Sequence, residues 1–231
     1  MQRFFVKFPL SIDMDISDSD IVHQLTRVLR AQIGESIVLF SGDGTETEYE
    51  INRIDKKTIG LRGKAKRNLD SESKKKVYLY QSLPNKYEKI EYIIQKGVEI
   101  GIAGFVFFRS ERSQKLLLSD NKIERFHLIA KEALEQCGGD IMPEIQFLNH
   151  FPEEISIDTS NIVLDTIGEN RRLISYDSLS DMNLWVGPEG GWSELERQKM
   201  IDKGFIFARF GERVLRTETA GIVIGFGLMN G

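Results

Sequence analysis

The sequence is poor in residues that can staple a protein together. Its 231 residues include one cysteine, Cys137, and three histidines. A single thiol excludes an internal disulfide, and one Cys with three scattered His leaves too few ligands for a structural zinc site. No apolar run reaches the ~20 residues of a membrane span. The opening Met1-Gln-Arg-Phe-Phe-Val6 reads as a strand, not as the apolar stretch of a signal peptide. These absences lead us to expect a reducing, cytoplasmic compartment, no membrane and no metal.

Several catalytic signatures are also missing. There is no G-x-x-x-x-G-K-[ST], which disfavours a P-loop NTPase. Gly225-Phe-Gly227 lies too close to the last residue for a βαβ unit to follow, so those glycines read as close-packing positions on a final helix. A G-x-S-x-G elbow is absent. No internal repeat or low-complexity stretch is present.

What is present is ordinary globular composition, 41% apolar and 29% charged, enough for one large domain or two modest ones. The net charge of -4 is unevenly spread. Residues 1–50 carry 4 basic and 9 acidic side chains, residues 51–76 carry 10 and 3, and residues 77–231 carry 17 and 23. The positive block either contacts phosphates, releasing counterions, or is a solvated lysine-rich linker.

Residues 1–70 read as short strands with tight turns: Ser36–Ser41, Thr45–Ile54 after the Gly42-Asp-Gly44 turn, and Thr58–Arg62. This pattern suggests a small barrel. A helix from about Asp18 to Leu29 interrupts it, with Ile21, Val22, Leu25, Val28 and Leu29 at helical spacing and His23, Arg27 and Arg30 off that stripe. The polar stretch 66–76 marks the boundary. Beyond it, strands and helices alternate: strands at Val77–Ser82, Phe105–Phe108, Ile162–Asp165, Leu184–Val186 and Phe205–Ala208, and helices near 84–101, 120–136, 193–203 and 219–229. Ser193-Glu-Leu-Glu196 is a capping box. Such alternation predicts an α/β domain over 75–231 with a parallel sheet.

Two stretches stand out. In Trp185-Val-Gly-Pro-Glu-Gly-Gly-Trp-Ser193 a strand runs into a glycine-rich loop before a capped helix. Glycines let backbone groups approach a ligand closely, and α/β ligands bind at the C-terminal ends of strands; a plain tight turn is the other reading. In Phe210–Ala220 a second loop precedes the final helix, where Thr217 or Thr219 can act as cap. Arg216 and Glu218 could form a mere exposed ion pair.

These stretches, in this order, resemble the 16S ribosomal RNA (uracil-N3)-methyltransferase family of the SPOUT class. Gln95-Lys-Gly-Val-Glu-Ile-Gly101, Ser110-Glu-Arg-Ser113, Glu132–Gly138 with Pro143, and His23-x-Leu-x-x-Val-Leu-Arg30 are similar to further family segments. Two positions depart from the pattern: Cys137 stands for a serine, read here as a small buried residue and not a nucleophile, and Gly139 for an arginine.

The resemblance implies a PUA-like RNA-binding β-barrel over 1–70 and a SPOUT α/β methyltransferase domain with a deep trefoil knot over 75–231. S-adenosyl-L-methionine would lie among three loops: one after Ile162–Asp165 with Leu164 and Thr166, one at Gly187, Pro188, Glu189, Gly190 and Gly191, and one with Phe210, Gly211, Val214, Leu215, Arg216 and Thr219. Arg216 would stabilise charge on uracil, and Glu218 would orient it or assist proton removal. RNA would meet Arg3, His23, Arg27, Arg30, Arg109 and Arg112. The implied partners are 16S rRNA, free or within the small ribosomal subunit, and a second copy as homodimer. An RNA-binding module with an inactive knot is the competing class, and a Rossmann-type methyltransferase a third.

Overall fold

The structure, a computed structural model, describes residues 1–69, 71–153, 159–170 and 181–230. Asp70 of the polar stretch and Gly231 lie outside them. The chain forms two compact units. One is Met1–Glu72 with Leu134–Met142, the other Ser73–Ala133 with Pro143–Gly231. Chain continuity alone would have assigned 134–142 to the second.

The first unit holds a five-stranded sheet ordered β1-β3-β4-β5-β2, from β1 (Gln2–Phe5), β2 (Asp13–Ile16), β3 (Ser36–Phe40), β4 (Thr45–Ile54) and β5 (Ile59–Asn68). The β1–β3 pair is parallel and the other pairs are antiparallel. Its core gathers Phe4, Ile16, Leu25, Leu39, Tyr49 and Ile59, all at most 1% exposed. The Tyr49 hydroxyl donates to Ser11 O at 2.7 Å, so its polar tip is satisfied. Helix α1 (Ser19–His23) is capped by Asp18, whose carboxylate accepts from the Asp20 and Ile21 amides. It then widens into a π-helical turn over Gln24–Val28, with Leu29 N donating to Gln24 O. The extra residue per turn breaks the expected apolar stripe: Ile21, Val22 and Leu25 stay buried, whereas Val28 and Leu29 turn outward. Arg30 ends the turn in a left-handed conformation, φ 54°, where glycine is usual.

The second unit is built on a six-stranded, all-parallel sheet ordered β11-β9-β10-β6-β7-β8. Its strands are β6 (Val77–Ser82), β7 (Gly104–Phe108), β8 (Glu144–Leu148), β9 (Ser160–Asn170), β10 (Met182–Val186) and β11 (Ile206–Arg209). Its helices are α2 (Tyr87–Ile100), α4 (Glu194–Asp202) and α5 (Thr217–Asn230); α3 (Asp120–Cys137) runs across the boundary between the units. The five residues of β10 are all buried, as expected of a central parallel strand covered on both faces. Trp185 and Trp192 pack with Phe108, Met200 and Phe205. Helix α5 returns from the β11 edge to pack on α2, β6 and β10.

Two strands, β2 and β8, had no sequence counterpart, and β5 extends six residues past the expected strand end at Arg62. The loop expected after Asp165 is a correction: β9 continues to Asn170. The β9–β11 register shifts there, from Val163 opposite Phe207 to Glu169 opposite Ala208, leaving residues 164–168 outside that ladder. This irregularity, not a loop, turns Leu164 and Thr166 toward a cavity. Cys137 is half-buried rather than buried.

Candidate functional site

Within the second unit, the C-terminal ends of β10 and β11 and the middle of β9 border a cavity of about 650 Å³, within the size range of small-molecule sites. Leu164, Thr166, Gly187, Pro188, Glu189, Gly190, Gly191, Phe210, Val214, Leu215 and Arg216 all line it. Gly211 and Thr219 do not; Gly211 turns the chain with φ 80°, and the Thr219 amide donates to Arg216 O.

The walls are tied by specific bonds. The Trp192 indole N–H donates to Leu164 O at 3.0 Å, and a Cβ at Gly187 would meet that indole at 3.1 Å. Thr217 Oγ1 donates to Gly187 O at 2.7 Å and accepts from Gln81 Nε2 at 2.8 Å. Thr217 therefore links β6, the loop after β10 and the start of α5, in place of the helix-capping role open to it. The predicted capping box of α4 is present. The second oxygen of Glu196 also accepts from Glu111 N at 2.9 Å, which ties the loop after β7 to α4. Asp165 pairs with Arg197 at 2.8 Å, their side chains 4% and 15% exposed.

Arg216 is exposed and lines the cavity. Glu218 sits in the first turn of α5 with its side chain 14% exposed. Sequence reasoning missed Lys89, in the first turn of α2. Its ammonium lies 2.7 Å from Glu189 Oε1 and 3.3 Å from Glu218 Oε2. Glu189 Oε1 also accepts from Asn85 N at 3.2 Å. Burial opposes charge on Glu189, but the Lys89 hydrogen bond and the Glu189 and Asn85 amides outweigh it and hold the carboxyl below its ordinary value. Burial likewise opposes the Lys89 charge, and its bonds and attraction to Glu189, then Glu218, leave its pKa raised.

The proposed RNA contacts divide. His23, Arg27 and Arg30 are exposed on the first unit. Arg3 is not free for a ligand there: it pairs with Glu46 at 3.1 Å, reaches Leu134 O and Gly139 O, and lies 4.3 Å over the Phe40 ring. These bonds pack its guanidinium into the unit, 15% exposed. In the second unit, Arg109 Nη2 donates to Leu116 O and its buried Nε has no partner among the described residues. Arg112 is exposed and donates to Gly190 O at 3.1 Å. Among the described residues no cluster of His, Cys, Asp or Glu could hold a metal, and no helix is long and apolar enough to cross a membrane.

Residues 71–226 match the family model described as an RNA methyltransferase domain, and residues 16–62 match an RNA methyltransferase PUA domain. The chain is 29% identical to ribosomal RNA small subunit methyltransferase E of Bacillus subtilis, over 95% of this chain and 93% of that one. It is 31% identical to the protein of that name from Buchnera aphidicola subsp. Acyrthosiphon pisum, over 87% and 81%. The crystal structure of ribosomal RNA small subunit methyltransferase E from Neisseria gonorrhoeae, bound to S-adenosyl methionine, superposes with a TM-score of 0.86 at 27% identity, covering 97% of this chain and 95% of that one.

Proposed function

The chain belongs to the RNA methyltransferase family, and from this we infer that it methylates N3 of a uridine in small-subunit (16S) ribosomal RNA with S-adenosyl-L-methionine as donor. The observation that carries the reading is a single cavity walled by the glycine-rich 187–191 segment and by Arg216. The residues present fit the cofactor. Backbone at Leu164 and Gly187–Gly191 offers close polar contacts, and Phe210, Val214, Leu215, Ala220 and Ile224 supply an apolar wall for a base.

When bound, the cofactor supplies an electrophilic methyl group carried on a sulfonium. The chain's own residues do the rest. The uracil imide must lose its proton, and negative charge then grows on its carbonyl oxygens; the Arg216 guanidinium stabilises that charge. Glu218, held by Lys89, orients Arg216 or assists proton removal. Positioning the nitrogen in line with the methyl supplies much of the rate. The uridine leaves its stack to enter, while His23, Arg27 and Arg30 on the first unit and Arg112 on the second bind phosphates.

The finer architecture belongs to the same proposal. The first unit is a closed PUA-like barrel, supported by its five-stranded order. A deep trefoil knot in the second is supported by α5 returning from edge strand β11 to β6 and β10. A homodimer is supported by Val223 and Phe226 on α5 and Tyr92 on α2, which stand 51%, 52% and 44% exposed. The cytoplasm, where rRNA is made, is the proposed compartment.

Calorimetry with S-adenosyl-L-methionine, followed by mass mapping of 16S rRNA before and after treatment, tests the function. Arg216→Ala should abolish methyl transfer and leave cofactor binding measurable; unchanged turnover would remove Arg216 from the mechanism. No cofactor binding by the unaltered protein would favour an inert RNA-binding module.

A further inference from the structure

We infer that Lys89 is a positioning residue of the transfer site: its one ammonium joins Glu189, in the loop after β10, to Glu218, beside Arg216, and fixes that loop and the start of α5 in one shared arrangement. This rests on the reading above, that the cavity takes S-adenosyl-L-methionine.

Three observations carry it. First, Lys89 lines the cavity itself, together with Glu189 and Arg216. Second, the contacts come from three separate elements. Lys89 is in the first turn of α2, Glu189 lies in the loop after β10, and Glu218 is in the first turn of α5. Helices α2 and α5 pack on each other, so Lys89 is a fixed post against which the glycine-rich loop is held. Third, the Lys89–Glu218 side of the group is sheltered, with side chains 21% and 14% exposed, while Glu189 reaches in from the exposed loop, so the cluster is more than an open surface pair of the kind that contributes little.

Removing the ammonium leaves two carboxylates of like charge facing each other. Glu189 keeps only the Asn85 amide and its own backbone. Glu218 Oε2, buried and 3.3 Å from the Lys89 ammonium, loses its counter-charge. The glycine-rich loop then keeps only its other ties, among them Thr217 to Gly187 O and Arg112 to Gly190 O, so cofactor seating and the placement of Glu218 should weaken together.

The test is a thermodynamic cycle on the full chain. Affinity for S-adenosyl-L-methionine is read by calorimetry, and single-turnover methyl transfer to 16S rRNA is read at saturating cofactor. Lys89→Met should weaken cofactor binding roughly tenfold and also slow transfer at saturation. Glu189→Gln should weaken binding, and the double variant should bind no worse than Lys89→Met alone. Lys89→Arg, which keeps the charge, should restore most of both. Multiplied affinity losses in the double variant, or a Lys89→Met protein with wild-type affinity and rate, would overturn the inference. If Lys89→Met does not fold, the same cycle between Glu189→Gln and Glu218→Gln serves: a shared lysine couples them, and strict additivity overturns the role. An unaltered protein that binds no cofactor would instead overturn the reading of the site, so the two failures are distinct.

Discussion

Thr217 joins three elements of the second unit through one hydroxyl. Its hydroxyl makes the only bridge described between Gln81, on a central strand, and the Gly187 carbonyl of the glycine-rich loop. Thr217→Val keeps the shape and removes the hydroxyl, a swap that is not conservative where the hydroxyl is bonded. The Gly187 carbonyl then loses its donor, and the fully buried Gln81 amide keeps only Ser82 O. Gly187 is half-buried, so water recovers part of the loss. The net cost should be about 2 kcal/mol, within the ~1–3 kcal/mol for unsatisfied buried groups. For a unit of this size that lowers the melting temperature by about 4–8 °C. Cofactor affinity should fall too, by roughly tenfold for each ~1.4 kcal/mol that loop order contributes to binding. Scanning calorimetry with and without S-adenosyl-L-methionine reads both quantities, and Thr217→Ser should recover both. A Thr217→Val protein that melts within about 1 °C of the parent and binds cofactor equally would refute the reasoning.

Gly97→Ala should be strongly destabilising, because a Cβ there would sit 2.5 Å from the Phe105 ring. Helix α2 must move off β7, at ~1–3 kcal/mol, visible as a lower denaturant midpoint with unchanged slope. Glu72 predicts an unusual pH response. Burial, then a hydrogen bond with Asp140, raises its pKa above the ordinary 4.5. A raised folded-state pKa means its contribution is fully present below 4.5 and lost as pH rises through the folded value. Relative to Glu72→Gln, the parent should therefore gain stability as pH falls from neutral toward 4.5, measured by urea titrations at both ends; a parallel pH response would argue that the carboxyl is ordinary.

Much of the molecule was legible before any coordinates. Period-2 and period-3.6 patterns located β6, β7, α2 and α3, because each buries one face or is buried throughout. The Ser193 capping box was legible because both partners lie within four residues. What was hidden depends on distant residues or on backbone irregularity. The π-helical turn at Gln24–Val28 has no side-chain signature, and so Val28 and Leu29 were assigned to the core. Strand β2 (Asp13–Ile16) is too polar to show a period, with Ile16 its one fully buried residue. Lys89 matters only because Glu189 and Glu218, about 100 and 130 residues away, fold against it. The internal bonds of Arg3 were hidden for the same reason: its acceptors at Leu134 and Gly139 come from far along the chain.

Those same acceptors set an order of assembly during synthesis. The first unit needs Leu134–Met142 as well as Met1–Glu72: Phe5 N donates to Glu135, Arg3 to Leu134 and Gly139, and Asp140 and Ile141 to Glu72. When Glu72 emerges from the ribosome, about 70 more residues must follow. At ~5–20 residues per second that is roughly 4–14 s of waiting. Through that interval the N-terminal sheet stands with its Arg3 and Phe5 amide partners still unmade. A fragment cut at residue 72 would never leave that state, so the first unit of this chain should be excised only with its late-arriving segment attached.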